Sequence, residues 1–178
     1  MGSVRPAGNV KLIVGLISRD TGLFDRAKLI LEKKFHNKTD FESAVLDFIH
    51  TDYYNKEMGT GLKRKFLSFK KTISLKNIEK VKLISNEIEK TLSLGGKRAI
   101  NIDPGYLDLS KLVLFSTKDY THRIHVGKNI FAEVTLYFKD ETFNAWPWTY
   151  PDYKTDEYIF IFNTIRERYR KGSKERSE

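Results

Sequence analysis

The feature that most restricts the fold of this chain is the order in which its hydrophobic period changes. Residues 10–18 are almost continuously apolar and rich in β-branched side chains, which predicts a strand buried on both faces. The apolar positions of residues 24–35 then step by three or four, which predicts a helix capped by Thr21. Residues 43–54 and 65–73 predict two strands, so the chain begins with a strand, a helix and two strands.

The alternation continues with a second helix and a fourth strand. Ser74 is a suitable N-cap, and the helix after it carries one apolar stripe, formed by Ile78, Val81, Ile84, Ile88 and Leu92. A Gly-Gly pair ends this helix, and residues 98–103 predict a strand closed by Pro104-Gly105. The order β-α-β-β-α-β is that of the split βαβ, or ferredoxin-like, fold. We therefore expect an α+β protein with a ferredoxin-like core at about residues 10–107.

The remaining residues extend this core within one domain, residues 1–178. A strand, a hairpin and a C-terminal helix are predicted at residues 111–117, 122–138 and 156–171. Two helices on one face of an antiparallel sheet leave the other face bare. We expect the antiparallel β extension and C-terminal helix, residues 108–171, to cover that face, followed by a polar tail at 172–178.

The register of the predicted hairpin decides which of its polar side chains meet. A three-residue turn at 127–129 keeps the apolar side chains of both strands on one face, whereas a two-residue turn at Gly127-Lys128 mixes them with charged ones. We therefore expect the three-residue turn, with Arg123 opposite Glu133 and His122 at the end of the apolar face. A cross-strand Arg–Glu pair is more often structural than catalytic, and so is a histidine on an apolar face.

Charge and cysteine content restrict the class of function. The formal net charge is +9, and the absence of cysteine excludes disulfides, Cys-ligated zinc, iron–sulfur clusters and thiol catalysis. Residues 56–82 contain nine cations and two acids, and residues 166–178 contain six and three. Such clusters favour polyanions, although a solvated lysine-rich surface accounts for them equally well.

The same composition predicts where the protein acts. A cysteine-free chain suits a reducing cytoplasm. The longest apolar run, residues 12–17, is much shorter than the roughly 20 residues that cross a bilayer. We therefore expect a cytoplasmic protein with no signal peptide and no membrane partner.

Asp103 is the first candidate for a catalytic or ligand-binding residue. It is predicted at the end of a strand, on the face opposite Ile102, and a Pro-Gly turn follows it. Catalytic and ligand-binding acids often occupy such positions. The alternative is an aspartate that caps its own turn through backbone N–H groups.

An aromatic segment at residues 146–153 is the second candidate site. It contains Trp146, Trp148, Tyr150 and Tyr153 together with two prolines, and so many rings cannot all enter one core. Exposed rings could stack a base, a sugar or a proline. The alternative is a structural cover over the open sheet face.

The third candidate contains Tyr54, Glu57 and Arg64 around two glycines, where backbone N–H groups could approach a phosphate. The spacing is not that of a Walker motif, and a long hairpin loop with a basic rim is the simpler interpretation. No metal-ligand spacing is present, because His122 and His125 point to opposite faces of a strand. We predict no cofactor.

Five stretches of sequence carry a resemblance to a known family. They are GLISRDTGLF (15–24), TDYYNKEMGTGLKRKFLSF (51–69), NIDPGYL (101–107), HRIHVGKNIFAEVTL (122–136) and WTYPDY (148–153). On these blocks the chain resembles a prokaryotic family, domain-of-unknown-function family 4416, over about residues 11–153. The resemblance implies no activity, cofactor or partner. It does imply that the candidate polar residues all belong to family blocks, which favours one shared site.

These observations give three hypotheses about function. The first is binding of a phosphate-bearing ligand, RNA or a nucleotide, by Tyr54, Glu57, Arg64, Asp103, Arg123, Glu133, Trp148, Tyr150 and Asp152. In it, Arg64 and Arg123 meet phosphate, Trp148 or Tyr150 stacks a base, and Asp103 or Glu133 binds sugar or base. This hypothesis requires the cations of residues 63–71 and the aromatic segment on one side of the molecule.

The second hypothesis is an enzyme, a hydrolase or nuclease in which Asp103, Glu133 and Asp152 hold Mg²⁺, with His122 as a further catalytic candidate. It requires the three carboxylates within about 5 Å of one another. The third is a protein-binding module that uses the aromatic segment as an anchor. The sequence does not determine the oligomeric state.

Overall fold

The structure is a computed structural model that describes residues 2–3, 6–51 and 53–174. The strands are β1 (Lys11–Ser18), β2 (Thr39–Glu42), β3 (Leu46–Asp47), β4 (Lys63–Phe69), β5 (Ile100–Leu107), β6 (Lys111–Ser116), β7 (Ile124–Gly127), β8 (Ile130–Lys139) and β9 (Thr142–Ala145). The α-helices are α1 (Gly22–Phe35), α2 (Asn55–Met58), α3 (Glu79–Thr91) and α4 (Asp156–Lys174), and a 3-10 helix, Asp152–Lys154, precedes α4.

The fold is α+β, as the sequence predicts. The nine strands form one sheet in the order β2-β4-β1-β5-β6-β8-β7, in which β3 also pairs with β4 and β9 with β8. The strand pairs are all antiparallel. No helix in the described part of the chain is both long and apolar enough to span a bilayer.

The two faces of the sheet bury different helices. Alternate residues of β1, such as Leu12 and Leu16, pack against α1 and α3 in the larger apolar cluster. The residues between them, such as Ile13, face α4, where Phe66 and Phe162 lie in a second cluster. Because side chains alternate along a strand, the continuous apolar run of β1 supplies both clusters.

The second and third strands differ from the prediction. The described residues of 43–54 do not form one strand: pairing with β4 occurs at Thr39–Glu42 and Leu46–Asp47, and α2 begins at Asn55. The third strand is Lys63–Phe69 and ends earlier than predicted.

The helix ends also differ. Thr21 makes no side-chain cap, and the Asp20 carboxylate accepts the Gly22 N–H at 2.9 Å instead. Ser74 lies outside α3, because Asn77 adopts a left-handed backbone conformation (φ 58°) and the helix begins at Glu79. The C-terminal helix continues to Lys174, whereas the polar tail at 175–178 lies outside the described residues.

The Pro104-Gly105 pair does not end a strand, because β5 continues through it to Leu107. The N–H and C=O of Ile102 point away from β1 and bond to Glu89 (2.6 Å) and Lys82 (2.9 Å) of α3. Pro104, two residues later, has the same orientation, and β6 pairs with β5 only from Gly105 onward. The sheet therefore loses no hydrogen bond because Pro104 lacks an N–H.

The β7–β8 hairpin has the predicted register with a different turn. Lys128 and Asn129 form a two-residue turn with left-handed backbones, and a bulge at Val126 restores Ile124 to its place opposite Ala132. The expected three-residue loop is therefore wrong. The expected meeting of Arg123 and Glu133 is confirmed, with 2.8 Å between Nε and Oε2.

Candidate functional site

Helix α4 covers only half of its face of the sheet. The apolar contacts of α4 involve one end of that face, including Leu107, Leu112 and Leu136. At the other end, where β1 finishes and β4, β5 and β8 begin, the side chains on the same face are polar. They include Arg64, Asp103 and Glu133. This polar half of the α4 face is the candidate site.

Arg64 is the buried centre of the polar half. It is 2% exposed, and its guanidinium donates to Asp103 (NH1–Oδ2, 3.1 Å) and to Asp152 (NH2–Oδ2, 2.9 Å). The rings of Phe66 and Tyr153 lie 5.1 and 5.5 Å from the guanidinium carbon. A guanidinium so enclosed cannot meet a phosphate directly, so the role predicted for Arg64 changes to that of holding the two carboxylates.

Gly15 makes this arrangement possible, and the sequence interpretation missed it. It lies on β1 opposite Phe66 of β4 and Asp103 of β5. A Cβ at this position would lie 2.8 Å from Arg64 NH1. The guanidinium therefore reaches Asp103 across β1 only because residue 15 has no side chain. An isolated glycine inside a strand pattern is the sequence signal for such a close approach.

Glu133 forms a second buried ionic group beside the first. Its side chain is 2% exposed and accepts from Arg123 and from His122, whose Nε2 lies 3.0 Å from Oε2. His122 was predicted at the end of the apolar face, and the structure contradicts this because the imidazole turns toward the carboxylate. Arg123 also donates to Ser116, to the Lys118 carbonyl and to the Tyr150 hydroxyl. These contacts make Arg123 and Glu133 a scaffold for the loop at 118–123.

Four exposed aromatic side chains adjoin this loop, and we call them the aromatic patch: Tyr53, Tyr120, Trp148 and Tyr150. Lys118 Nζ lies 4.4 Å from the centre of the Tyr53 ring. Tyr120 and Trp148 contact His122 with ring centres 5.3 and 5.7 Å away. Tyr150 accepts the bond from Arg123.

The aromatic segment at 146–153 is thus divided between patch and core. Trp148 is 42% exposed and stacks on Trp146 with centroids 5.1 Å apart, while its Nε1 donates to the Val134 carbonyl. Tyr153 is 2% exposed and packs against Phe66 and Phe162. The segment therefore contains both exposed and buried rings: Tyr153 contributes to the cover over the sheet, and the stacking role of Trp148 stays a prediction.

Tyr54 packs against Tyr53 of the aromatic patch, with ring centres 5.0 Å apart. Tyr54 and Glu57 both contact Arg98, which the sequence interpretation did not select. Arg98 forms a double hydrogen bond with Glu57 and donates to Asn101 at 2.8 Å. Its guanidinium carbon lies 5.5 Å from the centre of the Tyr54 ring.

Asp103 affects the pKa values of two tyrosines of the site, Tyr54 and Tyr150. Burial raises the pKa of Tyr54, and the negative charge of Asp103 raises it further. Burial also raises the pKa of Tyr150, with added contributions from Glu133 and Asp103. Asp103 therefore contributes to the raised pKa of both tyrosines. Because its side chain is 26% exposed, it is the carboxylate of the site that a ligand can reach.

The three carboxylates proposed to hold Mg²⁺ do not face one another. Asp103 and Asp152 each bond to a different nitrogen of Arg64, whereas Glu133 bonds to Arg123 and His122. Within residues 2–3, 6–51 and 53–174, no three His, Asp or Glu side chains lie close enough together to hold a metal ion.

The cations of residues 63–71 do not form one surface beside the aromatic patch, so this requirement of the binding hypothesis is met only in part. Lys63 and Lys65 lie on the face of β4 opposite Arg64, where Lys63 pairs with Asp47 and Lys65 pairs with Glu42 at 2.7 Å. Residues 70–71 lie beyond the far end of the strand, against α1. One-residue alternation separates these side chains although they are adjacent in sequence.

Comparison with known proteins identifies a family. No curated protein and no solved structure matches the chain. A family model described as "Domain of unknown function (DUF4416)" matches residues 8–169, which is most of the chain and includes Asp103, Arg123 and Glu133. The chain therefore belongs to the DUF4416 family.

Proposed function

We propose that the polar half of the α4 face binds a nucleotide or a short segment of single-stranded RNA. The observation that carries this proposal is the aromatic patch, whose four exposed rings lie in or beside the loop at 118–123. One of them, Tyr150, is close enough to Asp103 for the charge of that carboxylate to raise the Tyr150 pKa. Nucleotide bases are flat, and every base presents a face on which an aromatic ring can stack.

The rings of the patch are held in place before a ligand arrives. Trp148 stacks on Trp146 with an interplanar angle of 6° and lies 5.7 Å from the His122 ring. The hydrogen bond from Arg123 holds Tyr150. A fixed ring loses little conformational freedom when a base stacks on it, and each stacked base contributes about 1–3 kcal/mol.

One polar group of the site is proposed to contact the ligand, and several others hold that group and the neighbouring loop in place. Asp103 can accept a hydrogen bond from a sugar hydroxyl or a base amino group. Arg64 and Asp152 orient it, and Arg123 and Glu133 hold the loop. The exposed Lys118, on the same loop, provides a cation for phosphate. This assignment replaces Arg64 and Arg123 as the phosphate contacts.

A protein partner is the second candidate, because an exposed aromatic patch also suits an interface anchor. It differs from the nucleotide proposal in its response to salt. Binding to a nucleic acid weakens steeply as salt increases, since counterions are released from the phosphates. The Mg²⁺ hydrolase hypothesis receives no support from the carboxylates, because arginines separate them.

The test is fluorescence anisotropy of a labelled single-stranded RNA across a salt series. We expect Tyr120→Ala and Tyr150→Ala each to weaken binding by about tenfold or more through lost stacking. Trp148 is already stacked on Trp146 and His122, so Trp148→Ala should weaken binding by releasing the His122 ring. The matched control is Phe160→Ala, which removes a 72% exposed ring on α4. Asp103→Asn should change the preference among sugars and bases. No binding of the wild-type protein at low salt, or an equal loss in the Phe160 variant, would contradict the proposal.

We also infer that residues 10–107 form a ferredoxin-like core. The antiparallel pairs β2–β4, β4–β1 and β1–β5, together with α1 and α3 on one face, support this inference. An experimental structure in which β1 did not lie between β4 and β5 would refute it. The cytoplasmic location stays a prediction from the cysteine-free composition.

A further inference from the structure

A groove at the other end of β4 is lined by lysines that the proposed function does not use. Its volume is about 440 Å³, and Lys33, Lys38, Lys70 and Lys71 line it together with His36 and Asn37. Arg64 and Lys70 are six residues apart, so the lysine groove lies roughly 20 Å from the polar half of the α4 face at the usual rise of a strand.

The walls of the lysine groove are fastened to each other. Asn37 is 3% exposed, and its side-chain amide donates to the Lys71 carbonyl (2.7 Å) and accepts the Lys71 N–H (2.8 Å). The Lys70 N–H donates to the Lys38 carbonyl at 2.8 Å. Two segments that each carry lysines are therefore held side by side by backbone and buried side-chain bonds.

The positive charge of the groove is not balanced by the carboxylate beside it. Glu32 is the acid in the lining, and it already accepts from Lys38 Nζ (2.7 Å) and from the Thr39 N–H (2.9 Å). Among the described residues, no carboxylate oxygen lies within 4.0 Å of the ammonium groups of Lys33, Lys70 or Lys71. Lys33 is favoured by the dipole at the end of α1, but Lys70 and Lys71 lie outside that helix.

We propose that the lysine groove binds vicinal phosphates, either of a free polyphosphate or of a polynucleotide backbone. Among the described residues, the ammonium groups of Lys33, Lys70 and Lys71 have no carboxylate partner, and Lys71 Nζ donates only to the His36 carbonyl at 3.4 Å. Their positive charges repel one another, and a multiply charged anion removes that repulsion. Lysines bind phosphate as point charges, without the planar geometry that reads a carboxylate. Among the described residues, no ring of Phe, Tyr or Trp lines the groove, so these residues offer no aromatic surface on which a base could stack.

The experiment measures tripolyphosphate binding by isothermal titration calorimetry at low salt. The variant is Lys70→Ala/Lys71→Ala, which keeps the backbone bonds to Asn37 and Lys38. The matched control is Lys80→Ala/Lys90→Ala, which removes the same charge from exposed positions on α3. We expect the groove variant to weaken binding about tenfold and the control less than twofold, because only the former charges contact the anion.

A second arm repeats the RNA anisotropy measurement with the same variants, which distinguishes the two sources of phosphate. A loss of RNA affinity in the groove variant as well assigns the groove to a polynucleotide backbone, and a loss confined to tripolyphosphate assigns it to a free polyphosphate. Equal losses in the groove variant and the control, or no tripolyphosphate binding to the wild type, would overturn the proposal. Neither result depends on the aromatic patch, whose variants leave the groove intact.

Discussion

The two faces of the sheet are built by the same strands and yet serve different ends. Toward α1 and α3 the side chains form one apolar cluster that spans the sheet from β4 to β8. Toward α4 the apolar cluster occupies one half, and buried ions and exposed rings occupy the other. The continuous apolar cluster stabilises the fold, and the open half of the α4 face is the part to which the proposed function assigns binding.

A buried cation on each side of the sheet makes the comparison concrete. Lys82 of α3 is 7% exposed and donates to a backbone carbonyl, that of Ile102. Arg64 is 2% exposed and donates to Asp103 and Asp152. The lysine completes the unpaired edge of β5, which is a structural task. The arginine holds a carboxylate where a ligand can reach it.

The largest effect is expected from removing these two cations. Arg64→Met leaves two carboxylates in a buried site without their partner, which should lower the free energy of unfolding by about 3–5 kcal/mol. Lys82→Met leaves a carbonyl of Ile102 without its donor, which should cost about 1–3 kcal/mol. Urea unfolding at pH 7 measures both.

Arg64→Lys serves as the intermediate variant, since it keeps the charge and loses the fork that reaches both aspartates. Its stability should lie between that of the wild type and Arg64→Met. If Lys82→Met were the more destabilising of the two methionine variants, the ionic group at Arg64 would not be the centre of the polar half.

The next effect concerns two glycines on the α4 face. A Cβ on Gly105 would lie 2.2 Å from the Val113 carbonyl oxygen, so Gly105→Ala must separate β5 from β6. A Cβ on Gly15 would displace Arg64 NH1, a side-chain atom that can move. We expect both variants to lose about 1–3 kcal/mol, with Gly105→Ala the less stable.

The two glycine variants should rank in the opposite order in RNA affinity: Gly15→Ala, the more stable of the two, should bind RNA more weakly. Gly15→Ala moves the guanidinium away from Asp103 and should weaken binding, whereas Gly105→Ala should leave the affinity of the folded protein unchanged. Thermal unfolding and fluorescence anisotropy on the same preparations provide the comparison. Equal affinities for the two variants would remove Gly15 from the site.

The comparison of faces also explains what the sequence could and could not predict. The hydrophobic periodicity of the sequence identified β1, α1 and α4, because the spacing of apolar residues along a strand or helix is a local property. It placed the second strand wrongly, because pairing at residues 39–47 depends on β4 rather than on local propensity. It also ended β5 at Pro104, because a missing N–H disrupts a strand only where a partner needs it.

The site residues divide in the same way. Asp103, Arg123 and Glu133 could be selected as polar residues in family blocks, and the register brought Arg123 to Glu133. Arg98 was not selected, because its contacts with Glu57 and Tyr54 join segments that are more than forty residues apart. The sequence likewise did not predict which neighbouring lysines share a surface, because this depends on the fold.

The smallest effect at neutral pH, and the sharpest in its pH dependence, is expected at Tyr153. Its hydroxyl is buried beside Arg64 without a hydrogen-bond partner among the described residues. Tyr153→Phe should therefore change the free energy of unfolding at pH 7 by less than about 1 kcal/mol. Burial raises the pKa of Tyr153 well above its usual value; the positive charge of Arg64 opposes this shift, and the charges of Asp103 and Asp152 add to it.

The sign of the pH effect follows from the raised pKa. Above about pH 10 the unfolded chain releases the Tyr153 proton while the folded protein keeps it, so wild-type stability falls as pH rises. Tyr153→Phe lacks this loss. Above about pH 10 its free energy of unfolding should therefore increase relative to that of the wild type by about 1.4 kcal/mol per pH unit. Urea unfolding from pH 8 to pH 11 measures the difference, with Tyr120→Phe as the exposed control. Parallel stability curves for the wild type and Tyr153→Phe would show that the hydroxyl ionises freely, and the polar half would then be open to solvent beneath Arg64.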